Sequence, residues 1–252
     1  MKHIHPTALI NKDALIEDEV IIGPYSIIEG NVQIKNGSTI GSFCHLGLKN
    51  AFTKNNPLII GKDCLIRSHS TIYGMNDISD GLTTGHYVSI RENSAIGTCC
   101  QIGSYSELQG DCIIEDYVKM QSNVFIPKGT VIRQYARISP HVRFTNDPTP
   151  PSDTLLGIHV GEFACIGANA TILPGITIGP HALVAAHSCV TKDVKPGKVV
   201  RGVPAYESGS VSDVKRHNTD APAYPWCLHF ERGYPDKMKE IGTMMWEDVN
   251  VK

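Results

Sequence analysis

Residues 4–46 read IHPTALINKDALIEDEVIIGPYSIIEGNVQIKNGSTIGSFCHL, and every sixth one, counted from the first, is aliphatic. The series runs Ile4, Ile10, Ile16, Ile22, Ile28, Ile34, Ile40, Leu46. Four places after each stands a small or β-branched residue: Ala8, Ala14, Val20, Ser26, Val32, Ser38, Cys44. A period of six fits neither the 3.6-residue turn of an α-helix nor the two-residue alternation of a half-buried strand. It fits a solenoid in which each hexad forms one short strand and three hexads close a triangular coil. The aliphatic positions then line one continuous core, each adding about 1.5–3 kcal/mol when buried.

Outward from this stretch, the frame breaks across Leu48–Pro57 and resumes two residues out of phase at Ile60. From Ile60 to Phe144 the six-residue step meets only one residue that is not apolar, Thr84. A second break lies between Thr145 and His159, followed by Val160, Ile166, Ile172, Ile178, Val184 and Val190. Both breaks read as surface loops. Gly74–Gly81 keeps the phase but has turn composition, and it reads as a third loop. Four of the eight cysteines (Cys44, Cys64, Cys100, Cys112) fall in the slot for small inward side chains, and no Cys-x-x-Cys pair occurs. Neither a disulfide framework nor a metal site is expected.

Hydrophobic residues make up 41% of the 252, charged residues 19%, and the formal net charge is −2. A nucleic-acid binder carries a basic stripe, and none is present. The opening MKHIHPTALI contains no apolar run long enough for a signal peptide or a membrane span, so a cytoplasmic protein is expected. The solenoid is placed at residues 1–205 and a C-terminal extension at 206–252. Within the extension Met238, Ile241 and Met245 have helical spacing, which predicts a short helix capping the exposed last coil.

With three hexads per coil, residues eighteen apart stack on successive coils. From His69 that step gives Tyr87, Tyr105, Asn123 and His141, an outer strip of aromatic and hydrogen-bonding side chains. The sister strips, Asp63–Gly81–Cys99–Tyr117–Tyr135 and Met75–Asn93–Asp111–Gly129, are less suggestive of chemistry.

The repeats Ile22-Gly23-Pro24-Tyr25-Ser26, Ile96-Gly97-Thr98-Cys99-Cys100 and Ile166-Gly167-Ala168-Asn169-Ala170 resemble those of the hexapeptide-repeat acyltransferases. The likeness covers residues 3–205. It implies an all-β, left-handed parallel β-helix, assembled as a homotrimer with sites between subunits. Lys119–Ile126 and His141–Asp147 resemble the nucleotide-linked amino-sugar N-acyltransferases of that superfamily, whose residue matching Asn123 is a His or Asn beside the reacting amine. The Tyr-Pro-Arg that follows in that group is here replaced by Pro148-Thr149-Pro150-Pro151. The N-terminal half, through Ile66-Arg67 and Gly81-Leu82-Thr83, also resembles the UDP-N-acetylglucosamine O-acyltransferases. Aligned that way, the position of their catalytic His is Ala95. A sugar hydroxyl needs a general base to attack, so this counts against O-acylation.

A neutral amine attacks a thioester once oriented and relieved of one proton. Asn123 can orient it through its side-chain carbonyl. His141 is the candidate proton acceptor, with Asp147 second. His86, Tyr105, Arg143 and Asn146 are candidate sugar contacts. For the donor, acetyl-CoA, the resemblance implies that the pantetheine arm lies along late coils. The small positions Gly167, Ala168 and Ala186 match that approach, with His187 beside them. Lys192 and Arg201 are candidate phosphate partners. The expected reaction is acetylation of a nucleotide-linked amino sugar, a dTDP-3-amino-3,6-dideoxyhexose, for surface polysaccharide such as lipopolysaccharide O-antigen. The alternatives are a UDP-sugar O-acyltransferase with an acyl carrier protein donor and a non-catalytic hexapeptide-repeat scaffold.

Overall fold

The computed structural model describes residues 1–53 and 56–250. Each hexad becomes a strand of two to four residues, and the strands stack as about eleven coils with three faces. The faces are sheets of twelve, ten and nine strands, called here the first, second and third in the order the chain visits them. All pairings between coils are parallel and keep the aliphatic positions in line: Ile4 faces Ile22, Ile22 faces Ile40, and Ile96 faces Ile114. Those side chains are 0–1% exposed from Ile22 onward and form one core.

The corners explain the rest of the repeat. At most corners the third residue after the aliphatic adopts a left-handed backbone, with φ of 59° at Tyr25, 60° at Asn123 and 61° at His141. Such φ values are disfavoured for residues with a Cβ. The corner N–H is compensated by the coil before it: Asn123 donates to the Ser104 carbonyl at 2.9 Å and His141 to Ser122 at 3.0 Å. Serines in the inward slot bridge coils in the same way. Ser26 Oγ donates to the Gly41 carbonyl at 2.7 Å and accepts from the Cys44 N–H at 3.1 Å. Thr84, the polar rung of the ladder, accepts the Arg67 N–H at 2.9 Å. Burial pushes the Cys112 thiol up to about 11 and that of Cys100 to about 12, as expected of packing residues.

Gly74–Gly81 is not a loop. It holds a strand, Asp77–Ile78, between two ordinary corners at Met75 and Gly81. Its turn-like composition comes from Asn76, which fills the inward slot. That side chain is 1% exposed; its amide donates to the Tyr73 carbonyl at 2.9 Å and its oxygen accepts from the Ser94 N–H at 2.7 Å. The two true insertions follow His45–Leu48 and Arg143–Phe144, which both belong to the second face. Both loops therefore rise from the second corner.

Past the last coil, Ala205–Ser210 folds back antiparallel on Lys198–Gly202 and covers the open edge of the first face. This strand crosses the 205/206 boundary read from the sequence. Helix α1 (Met238–Asn250) runs along the third corner. A ring column, Tyr117–Tyr135–Phe163–His181, stacks there at 5.3, 4.8 and 5.0 Å. Over it lie Trp226, Cys227, Met238, Ile241 and Met245, and Trp226 Nε1 donates to the Phe163 carbonyl at 3.0 Å. Gly242 lies against Phe163 and Trp246 meets His181 edge-on, so the helix crosses successive coils. The strip that looked least chemical is the docking surface for the extension.

His181 is 2% exposed, and among the described residues its Nε2 has no hydrogen-bond partner. Burial pushes its pKa down to about 4. The folded state then holds the neutral ring while the unfolded chain takes up a proton below about 6.5. Stability is fully present above that pH, falls as the pH drops toward 4 and levels off below, a loss of at most about 3 kcal/mol. Thermal melts from pH 7.5 to 4.5 should show it, and His181→Phe, which keeps the stack, should remove that component. Equal pH slopes in the two proteins would contradict this account.

Candidate active site

The first corner carries one uninterrupted column. Its lower half is a ring ladder, Tyr25–Phe43–His69–Tyr87–Tyr105, with centroids 5.1, 5.0, 4.5 and 5.0 Å apart and planes within 18°. Its upper half is polar: Asn123, His141, Asn169, His187. Each corner N–H again bonds the coil before it, Asn169 to Pro140 at 3.0 Å and His187 to Ala168 at 2.8 Å. Asn169 Nδ2 lies 3.4 Å from His187 Nε2. The step from His141 to Asn169 is lengthened by the second insertion, which hid the upper rungs from an eighteen-residue count. His69 is sandwiched between Phe43 and Tyr87, whereas His86, His141 and His187 are exposed.

Most of the candidate residues come together here. His86 directly precedes the corner residue Tyr87. Arg143 opens the second face, and its guanidinium donates to the Asn123 carbonyl, clasping that corner. Ala168 and Ala186 border the same corner one and two coils above His141. Gly167 does too, but its missing Cβ serves coil stacking: a Cβ there would lie 2.5 Å from the Ala186 nitrogen.

Four candidates lie elsewhere. Asn146 and Asp147 are in the second insertion, across the second face from His141. The Asp147 carboxylate accepts from Ser152 Oγ at 2.7 Å and from the N–H groups of Ser152 and Thr149 at 2.9 and 3.0 Å. Those bonds, the Ser152 hydroxyl first, hold its pKa low, and the group organises its own loop. Lys192 sits at the second corner. Arg201 is on Lys198–Gly202 of the first face, with its Nε 3.3 Å from Tyr206 Oη, so these two cations do not converge. Gly129, also at the second corner, is remote from the column.

Residues 13–47 and 157–192 match the family model of the bacterial transferase hexapeptide (six repeats). The chain resembles the bifunctional protein GlmU of Streptococcus equi subsp. zooepidemicus, 27% identical over 199 residues, covering 74% of this chain and 38% of that protein. GlmU of Ruthia magnifica is 30% identical over 193 residues, covering 73% and 34%. The chain thus spans between a third and two fifths of these curated relatives. Among solved structures, the Arabidopsis UDP-N-acetylglucosamine acyltransferase superposes with a TM-score of 0.51 at 21% identity, covering 82% of this chain and 74% of that one. The chain has the fold of a left-handed parallel β-helix.

In this β-helix the corners, not the insertions, carry the column of exposed polar side chains. Among the described residues no group of three or more His, Cys, Asp and Glu side chains is placed to hold a metal ion. No helix among them is long and apolar enough to cross a membrane.

Proposed function

We propose that the chain is an acyltransferase that moves an acetyl group from coenzyme A to the amine of a nucleotide-linked amino sugar, at the first corner of the solenoid. The transferase hexapeptide match supports the reaction class. The observation that carries the site is the polar half of the first-corner column, with Asn123 and His141 on consecutive coils and the small residues Ala168 and Ala186 beside it.

The Asn123 side-chain oxygen accepts a hydrogen bond from the amine and aims its lone pair at the thioester carbonyl. Attack forms the C–N bond. The tetrahedral intermediate then collapses, breaking the C–S bond, and the departing sulfur takes the electron pair. His141 takes the ammonium's extra proton before attack and so frees that lone pair, and the proton left on nitrogen after attack passes to the thiolate, so coenzyme A leaves as the thiol. Arg143 keeps the Asn123 corner in place. The substrate is read as a dTDP-3-amino-3,6-dideoxyhexose, the assembly as a homotrimer and the compartment as the cytoplasm.

A second reading, transfer to a sugar hydroxyl, draws on the exposed imidazoles of His86 and His141 along one corner, either of which suits a general base. One assay separates the two. Purified protein is mixed with acetyl-CoA and paired nucleotide sugars that differ only by amine or hydroxyl, and free thiol is followed. Release with the amine alone supports the proposal, and release with the hydroxyl alone favours the second reading. No release with either class contradicts both.

A further inference from the structure

Between the first face and the extension lies a cleft of about 390 Å³. Its floor is built from the outward residues of three successive coils, Gln101, Lys119 and Arg137, which are direct register partners. Its far wall is Phe230, Arg232 and Gly233 of the extension. Gln121 and Ser139, two residues before Asn123 and His141, form its near side and open onto the first corner.

The cleft is cationic without compensation. Among the described residues, none of Lys119, Arg137 and Arg232 lies within ion-pair distance of a carboxylate, although six other ion pairs form elsewhere. Arg137 is held by uncharged groups instead. Its guanidinium donates to Tyr234 Oη at 2.7 Å and lies 4.9 Å from the Phe230 ring centroid and 5.4 Å from that of Trp226. Lys119 is half-buried with its ammonium 5.2 Å from the Tyr234 ring centroid. Its pKa is lowered by burial, and the neighbouring Arg137 charge adds to that. Two like charges on adjacent rungs, with a third overhead, cost free energy unless an anion joins them. A fold that holds Lys119 and Arg137 in this way, with Arg232 on the far wall, offers two adjacent phosphoryl groups charge-assisted hydrogen bonds from a planar guanidinium and an ammonium.

We propose that this cleft, with Lys119, Arg137 and Arg232 as its cations, binds a diphosphate group of the transfer substrates. The assignment deepens the acyl-transfer reading and rests on it for the identity of the ligand. Lys119 and Asn123 are four residues apart, at most about 14 Å along the chain. A diphosphate-linked hexose seated on Lys119 therefore extends its sugar toward Asn123 and His141. Coenzyme A also carries a diphosphate, so the source is an arm of the test.

The test is calorimetric titration of the full chain with inorganic pyrophosphate, dTDP, UDP, thymidine, coenzyme A and pantetheine. Lys119→Met and Arg232→Gln are compared with the unaltered protein. Arg137 is left in place because the extension packs on it. Thermal melts confirm that both variants are folded. The expected result is saturable pyrophosphate binding that weakens about ten- to a hundred-fold in each variant and weakens with added salt. If the nucleoside diphosphates lose affinity in step while coenzyme A does not, the diphosphate is the acceptor's. If coenzyme A alone loses affinity in step, it is the donor's. Unchanged pyrophosphate binding in both folded variants, or no binding by the unaltered protein, overturns the site. Because pyrophosphate binding is read without turnover, a failed thiol-release assay leaves this result standing, and the reverse also holds.

Discussion

His141→Ala is expected to lower kcat/KM for the amino-sugar acceptor at pH 7 about 10²–10⁴-fold, the range for losing a positioned general base. The loss should shrink as the pH rises, because above the amine's own pKa no base is needed to free the lone pair. Asn123→Ala should cost about 10²-fold with no such recovery, since it removes orientation and not proton transfer. Both side chains project from the outer corner while the core faces inward, so the melting temperatures should stay close to that of the unaltered protein. Initial rates from pH 6 to 10 for the three proteins check this. A His141→Ala deficit that stays constant with pH would remove the proton-acceptor role. Unchanged rates in Asn123→Ala would remove the orientation.

The largest expected effect on stability comes from Gly85→Ala. A Cβ on Gly85 would lie 2.2 Å from the Ser104 nitrogen and 2.6 Å from its Cα, both backbone atoms of the next coil. That coil is fixed on both sides: the Gly85 N–H donates to the Ile102 carbonyl at 2.7 Å and the His86 N–H to Ser104 Oγ at 3.0 Å. The clash cannot be absorbed by a rotamer, and overpacking of this kind costs about 3 kcal/mol. For a chain of this size that corresponds to a melting temperature about 6–12 °C lower. Gly74→Ala is the matched control, because its nearest neighbour, Thr53 Cγ2, is 3.8 Å from the added carbon. It should change stability by no more than about 0.5 kcal/mol. Thermal or denaturant unfolding of the two variants compares them directly, and equal losses would mean that coil spacing is not what selects glycine at position 85.

The coil was legible because the inward position of every hexad meets one environment, so Ile22, Ile96 and Ile166 answer to a single requirement. The first-corner column could be read from His69 to His141 because the step between coils is constant there. Insertions change the step without changing the stacking, so Asn169 and His187 were invisible as partners of His141 even though they continue its corner. Composition misled at Gly74–Gly81, where Asn76 looks like a turn residue but is spent on two hydrogen bonds inside the coil. Asp147 drew attention beside a substrate-like motif, yet three hydrogen bonds commit it to its loop. The extension was the least readable part. Trp226, Phe230 and Tyr234 fall outside the six-residue period, and their partners Tyr135, Phe163 and Arg137 lie far away in sequence, so neither the third-corner docking nor the cationic cleft leaves a local signature.

Co-crystallisation with coenzyme A and a nucleotide-linked amino sugar tests the central claim most directly. The account predicts the acceptor amine within about 3.2 Å of the Asn123 side-chain oxygen or of His141, with the thiol arriving past Ala168 and Ala186. An acceptor seated at the second corner, between the two insertions and out of reach of both residues, would contradict it.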